Sequence, residues 1–443
     1  MNKKKIVLFV FFGVGVLSLI LTYKFKQNNL NKNKPVKEEK LSIMIKEQGA
    51  TDYTKSNSKD IPKGNYVLNE KKTHCENNGE VTSYDNATGT VSFAFIGSDK
   101  CYLYFDYKIP TRKAYDAILL DNGNGATTVD EAKAYISGKG TPTFTDSVTT
   151  NEGMYATEDD LGTSYYFRGA VDNNWLKFGE VDGKPIYWRI IRINGDSSIR
   201  LLYTGTTSPT ESQKVEMTGE NTQIGVCSFV SVNTSSEYVG YKYEIGKQHG
   251  LAKDSDIKTT LENWYKTTTL YTNEATSKLV VDTPFCYDRT ASESTTGTYG
   301  EISSWASTGT QYYYGSWGRI YGNKTGPSLK CQNELDIYSV ANGTLSYPVG
   351  LITADEINMA GADNDYTSNS SYYLYTGQNY WCGSPDIFSG NYSSSFVFYV
   401  RSSGALGSHF VNYSYGVRGS VSLSSEAKLS GDGSWNNPYV VEG

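Results

Sequence analysis

The sequence predicts an α+β fold with few helices, many short strands and long irregular connections. Helix signals are confined to three places. Thr128-Val129-Asp130-Glu131 and Thr353-Ala354-Asp355-Glu356 are capping boxes, and Ile257, Leu261, Trp264 and Tyr265 share one helical face behind Asp254 or Ser255. Strand-like runs are short and bounded by turn residues: residues 186–193 are followed by Asn194-Gly195-Asp196 and then by residues 198–203. Between such runs lie long stretches of Ser, Thr, Gly and Tyr, of which Gln311-Tyr312-Tyr313-Tyr314-Gly315 is typical.

The first segment reads as a targeting element. Lys3, Lys4 and Lys5 precede an apolar run over residues 6–21, and Lys24 and Lys26 follow it. This pattern predicts a signal anchor over 1–22, with its N-terminus in the cytoplasm and the rest of the chain exported. A cleaved signal is the alternative, although no small-x-small site follows in Leu21-Thr22-Tyr23-Lys24-Phe25. The localisation implied is a single-pass membrane protein with an extracellular C-terminal part.

Residues 23–63 are rich in Lys, Asn, Asp and Ser and read as a linker or stalk, residues 41–45 being too short an apolar run for a core. Residues 64–108 read as a small β-module. Residues 90–96 alternate, and residues 101–105 follow after Gly97-Ser98-Asp99-Lys100, which is a hairpin signal. Residues 109–160 read as a connector whose short helix runs from Thr128 to a C-cap at Gly138. A larger binding domain then occupies 161–443. It closes with a turn at Gly431-Asp432-Gly433-Ser434 and one strand.

Composition narrows the function. With a net charge of −6 and no basic cluster beyond the N-terminus, nucleic-acid binding is not expected. Aromatic residues make up 14% of the chain and include 37 Tyr, which excludes a disordered protein. An exported chain with six cysteines is expected to form disulfides. Cys75 and Cys101 flank one compact β-like unit and are expected to pair. Cys286 with Cys331 is the next pairing, which leaves Cys227 with Cys382; two bridges and two buried thiols is the alternative. The three His (His74, His249 and His409) lie far apart and no C-x-x-C is present, so no metal or other cofactor is expected. Asp363, Asn364 and Asp365 read as a polar turn before a calcium site. Asp355 and Glu356 read as capping residues, and no catalytic constellation is recognised.

Residues 371–418 stand apart. They are dominated by Tyr, Ser, Gly, Phe and Asn, and contain no Lys and no Glu. That is the composition of an adaptable recognition surface, where Tyr gives large contacts at low entropic cost and Ser, Gly and Asn give flexible hydrogen bonding.

Four groups of residues carry a resemblance: Tyr187 to Gly195 (YWRIIRING), Phe285-Cys286-Tyr287-Asp288-Arg289, Tyr380-Trp381 with Ser384-Pro385, and Tyr413-Ser414-Tyr415-Gly416-Val417-Arg418. Together they resemble exported proteins of low-GC Gram-positive bacteria that end in a C-type-lectin-like domain of the formylglycine-generating-enzyme branch. The resemblance covers most of residues 60–443. In that family the last motif usually continues into Pro, where this chain has Gly419 and Ser420. The resemblance implies a C-type-lectin-like head on the β-module and anchor. It also implies kinship with variable proteins diversified by retroelements that mutate adenines near the C-terminus. The function implied is ligand binding or adhesion at the cell surface, toward an extracellular protein or glycan, with no enzymatic activity. A cell-envelope enzyme of the same fold and a structural coat protein are the alternatives. The expected ligand surface is Tyr380, Asp386, Phe388, Asn391, Tyr392, Arg401, His409, Asn412, Tyr413 and Tyr415, with Trp381 as a core anchor and Arg418 in the scaffold.

Overall fold

The computed structural model describes residues 40–47, 50–94, 99–108, 111–292, 311–363 and 366–442. The signal anchor expected over 1–22, residues 23–39 of the stalk, residues 95–98 of the expected hairpin, and Asn364 and Asp365 lie outside the described residues. Among the described residues no helix is long and apolar enough to cross a membrane. The chain divides into two units, Met1–Pro110 and Thr111–Gly443.

The first unit contains β1 (Leu41–Lys46), β2 (Thr54–Lys55), β3 (Tyr66–Leu68), β4 (His74–Cys75), β5 (Glu80–Asp85), β6 (Thr90–Ala94) and β7 (Cys101–Tyr107). β7 is its hub, parallel to β1 and antiparallel to β3 and β4. Ile43, Val91, Leu103 and Phe105 form the buried core. Residues 41–45 therefore belong to the β-unit and not to the stalk; their partner strand comes from far along the chain, which a local pattern does not reveal. The expected pairing of residues 90–96 with 101–105 is also corrected. β6 pairs with β5, across a turn in which the Asp85 carboxylate accepts from the Ala87 and Thr88 amides and Gly89 takes φ +67°. Cys75 and Cys101 face each other across the β4–β7 pair and are disulfide-bonded, as expected.

The second unit opens with β8 (Arg112–Lys113), α1 (Ala114–Asp121) and α2 (Val129–Gly138). Then come β9 (Asn151–Asp159), β10 (Gly162–Gly169), β11 (Trp175–Val181), β12 (Lys184–Ile193) and β13 (Ile199–Gly205). After β14 (Gly225–Ser228), a ribbon of β15 (Lys242–Tyr243) and β16 (Lys253–Asp254) leads into α3 (Asp256–Tyr265). Short strands β17 (Val280–Val281), β18 (Phe285–Cys286), β19 (Gln311–Tyr313) and β20 (Ile337–Tyr338) precede a helix over Ala354–Ala360. The chain finishes with β21 (Tyr380–Ser389), β22 (Ser394–Val400), β23 (Leu406–Phe410), β24 (Ser414–Val417), β25 (Ser420–Leu423), β26 (Lys428–Ser430) and β27 (Tyr439–Glu442). One sheet has the order β17-β25-β13-β12-β11-β27-β26-β8, with β10 joining β12 to β9; a second has the order β14-β24-β21-β22-β23, with β19 beside β21. This is a mixed α+β unit built mostly of strands.

The helix-start signals hold, while the expected C-cap at Gly138 shifts by one residue: Gly138 is the last residue of α2 and Lys139 is its C-cap. Thr128 and Thr353 both form complete capping boxes, and Ser255 accepts from the Lys258 amide at the start of α3. Ile257, Leu261 and Tyr265 are buried along one face of α3. The segment read as a connector is part of this unit: Ala117, Ile118, Ala132, Ile136 and Met154 pack into the same core as β12. β12 itself is an interior strand buried on both faces, so that Arg189 and Arg192 lie within the packed interior together with its apolar residues. The turn after it needs Gly195, because a Cβ there would collide with the Asp159 carboxylate and the Gly162 amide.

Long irregular segments bring backbone carbonyls into the interior, and each needs a donor. Buried arginines supply many of them. Arg168 donates to the carbonyls of Thr143, Asn358 and Met359 and pairs with Glu152. Arg189 donates to the carbonyls of Val171 and Lys214. Arg418 donates to the carbonyls of Tyr203 and Leu374 and lies over the Tyr380 ring at 4.7 Å. Five N–H donors on one planar group suit this role.

Cys286 and Cys331 are bonded, whereas Cys227 and Cys382 are free thiols. The third bridge is thus corrected, and alternation along β21 gives the reason. The Trp381 indole N–H donates to the Cys227 carbonyl at 3.0 Å, so Trp381 faces that strand and Cys382 points to the opposite face.

Candidate recognition surface

β22 and β23 run antiparallel with Phe396 opposite Phe410, Val397 opposite His409 and Tyr399 opposite Gly407. The Val411 amide donates to the Ser395 carbonyl. This register brings the 390–393 turn and the 411–413 turn to the same end of the sheet. Tyr392 rides on the first turn and is 72% exposed; Tyr413 rides on the second and is 50% exposed. Asn391 and Asn412 are exposed beside them.

Behind these side chains the aromatic rings form a graded stack. Trp381 is fully buried and lies 4.9 Å from Tyr415. Tyr415 stacks on Tyr399 at 4.7 Å, and His409 sits 5.5 Å from Tyr415 and 4.2 Å from Tyr413. Phe410 pairs across the strands with Phe396 at 4.4 Å. The run thus passes from core to solvent without a break, and the packed rings fix the orientation of the exposed Tyr413.

Two polar atoms within this run make no hydrogen bond: His409 Nδ1 and Arg401 Nε. Burial, and then the neighbouring Arg401, hold the His409 imidazole below its ordinary pKa, so it is a neutral ring beside a permanent cation. Gly407 makes room for Arg401, because a Cβ there would strike the guanidinium. Arg401 also lies over the Tyr366 ring at 5.5 Å.

The structure separates the expected ligand residues. Asn391, Tyr392, Asn412 and Tyr413 are exposed, and Arg401, His409 and Tyr415 are half-buried in the same region. Tyr380 and Phe388 are core residues and are corrected as surface candidates. Tyr380 donates to the Leu374 carbonyl beneath Arg418, and Phe388 stacks against Tyr312 at 6.3 Å. Asp386 is also buried; its Oδ1 has no partner, and burial pushes its carboxyl up to about 7 against the lowering effect of Ser408. β22 is covered on both faces. Val397, Phe398 and Tyr399 are all buried, and Phe396 is partly so, because β22 lies between β21 and β23 within a packed sheet. Phe396 and Phe410 join the surface without having been singled out, Phe410 lying 6.0 Å from Tyr413. Alternation along β23 carries some signal for Phe410.

The other candidates are structural. Trp381 and Arg418 are interior, as expected. Glu356 completes its capping box and also binds Arg192, while Asp355 serves Arg319 and Ser316 more than the helix start. Asp363 accepts from Ser147 and from the Thr367 amide. His74 stacks on Tyr102, and His249 lies 2.9 Å from Asp336 with its other nitrogen toward Asn333. Among the described residues no cluster of three or more His, Cys, Asp or Glu is arranged to hold a metal. No family model, curated protein or solved structure matches this chain.

Proposed function

We propose that the chain is a ligand-binding protein of the cell surface whose recognition surface is the β22–β23 end of the second sheet. The observation that carries this reading is the graded aromatic stack that runs from buried Trp381 through Tyr415 and His409 to the exposed Tyr413, with Tyr392 exposed on the neighbouring turn. Exposed Tyr held by buried rings gives contact area with little conformational freedom left to lose on binding. The ligand class is an extracellular protein or glycan. Attachment through the apolar run at residues 6–21, with the remainder exported, is part of the same proposal; the two disulfides support it, since such bonds persist in oxidising compartments. A C-type-lectin-like fold for the larger unit also stands as a proposal, resting on the four sequence motifs.

Probing glycan and protein arrays with the full chain tests the reading. A ligand captured by the wild type is expected to lose about 30-fold in affinity when Tyr392 and Tyr413 are both replaced by Ala. Undiminished capture by the double variant removes this surface from consideration.

A further inference from the structure

A cavity of about 300 Å³ lies elsewhere in the second unit and shares no residue with the aromatic surface. Its apolar lining comes from Leu161, Pro284, Phe285, Leu329 and Ile337, and it also carries four cations and four carboxylates. The carboxylates are all engaged. Asp159 accepts from Arg192 and from the Leu161 and Gly195 amides. Glu356 accepts from Arg192 and Thr353. Asp355 accepts from Arg319, Ser316 and the Ser328 amide, and Asp160 from the Cys331 amide.

The cations are not all matched. Arg192 and Arg319 each hold two carboxylates. Arg200 holds none. Its side chain is 1% exposed, its Nη2 donates to the Pro284 carbonyl at 2.6 Å, and its Nε and Nη1 have no partner. The guanidinium lies 3.9 Å over the Phe285 ring. Its acidic neighbours are committed elsewhere, Glu356 to Arg192 and Asp196 to Ser198 and Thr283. Lys330, exposed on the same cavity, makes no ion pair among the described residues.

A buried guanidinium without a counter-charge is destabilising, and burial also pulls its pKa down to about 10. An anion seated in the adjoining cavity relieves both. We propose that this cavity binds a small organic carboxylate, its charge toward Arg200 and Lys330 and its body against Phe285, Leu329 and Ile337. The apolar lining selects an organic anion over a fully hydrated inorganic one.

Calorimetric titration of the full chain with sodium benzoate, benzamide and sodium sulfate tests this, in the wild type and in Arg200→Met and Lys330→Gln. Benzoate is expected to bind at least about tenfold more tightly than benzamide or sulfate. Arg200→Met is expected to lose about tenfold or more, and Lys330→Gln about threefold. Equal binding of benzoate and benzamide overturns the proposal, as does failure of benzoate to bind at about 10 mM. Sulfate binding as tight as benzoate overturns the organic assignment. Should Arg200→Met not fold by circular dichroism, the exposed Lys330→Gln variant decides together with the benzoate–benzamide comparison, and unchanged affinity there counts against the site.

Discussion

Replacing Asp386 by Asn removes an ionisable group from beneath the proposed recognition surface at nearly constant volume. In the folded unit its carboxyl titrates at about 7, against an ordinary value of 3.8, because burial penalises the charge more than Ser408 relieves it. Below about pH 4 the group is protonated in both folded and unfolded chains and contributes no difference. As pH rises from about 4 to 7, the unfolded chain releases the proton and the folded chain retains it, so stability falls by up to about 1.4 kcal/mol per pH unit. Above 7 the loss levels off. A displacement of roughly three units gives a ceiling of about 4 kcal/mol, and water penetration around the ionised form brings the expected loss to about 2–4 kcal/mol.

The Asn variant lacks this dependence. It is expected to exceed the wild type in stability by about 2 kcal/mol or more at pH 7.5, with the gap closing toward pH 4.5. Urea unfolding followed by Trp fluorescence is the assay. All seven Trp lie within residues 111–443, so the signal reports the larger unit alone. A difference between the two proteins that stays constant from pH 4.5 to 7.5 refutes the reasoning, as does a wild type that is the more stable at pH 7.5.

Cys101→Ser opens a loop with a sequence separation of 26 in a unit whose core cluster, among the described residues, is Ile43, Val91, Leu103 and Phe105, so a loss of about 3.5 kcal/mol is expected, read as faster proteolysis within residues 40–108. Alkylation with iodoacetamide is expected to modify two cysteines after unfolding without reductant, and to leave Cys382 unmodified in the native protein, where burial both shields the thiol and pushes its pKa up. Gly407→Ala is expected to displace Arg401 at a cost of about 1–2 kcal/mol and to weaken ligand capture while Trp fluorescence stays native; capture at wild-type strength would show that Arg401 plays no part. If the C-terminal segment varies between natural copies of the coding region, sequencing should find the differences concentrated at Asn391, Tyr392, Asn412 and Tyr413, with Tyr380 constant because it is interior.

What could be read from the sequence divides along the range of the interactions. The helix starts at Thr128, Ser255 and Thr353 depend on groups three or four residues apart, and all three stand where those residues put them. Likewise the turn from β12 into β13 depends on Asn194, Gly195 and their neighbours. Strand partners do not work this way. β1 finds its neighbour in β7, and β6 pairs backward to β5 across the turn from Asp85 to Gly89. In neither case does alternation within a run say which other run it joins. The cysteines show both sides: Cys75 and Cys101 lie in one small unit and pair, while elimination fails for Cys227 and Cys382 because β21 turns their side chains to opposite faces.

The same limit explains the mixed fate of the Tyr-rich segment. Tyr has an apolar ring and a polar tip, so it serves equally as a contact residue and as a core residue wherever a carbonyl lies within reach of its hydroxyl. Tyr287, Tyr372 and Tyr380 all donate to interior carbonyls, of Leu351, Gly404 and Leu374. In a unit with long irregular stretches such carbonyls are plentiful, and the interior becomes as rich in Tyr as the surface. Composition therefore locates the segment but cannot sort its residues. Position in the sheet does: Tyr380 begins an interior strand between β24 and β22, whereas Tyr392 and Tyr413 sit on turns that share one end of the sheet. The Arg200 cavity was invisible for a related reason. Arg192 and Arg200 are both arginines on neighbouring strands, and only the three-dimensional count of carboxylates shows that one is paired and the other is not.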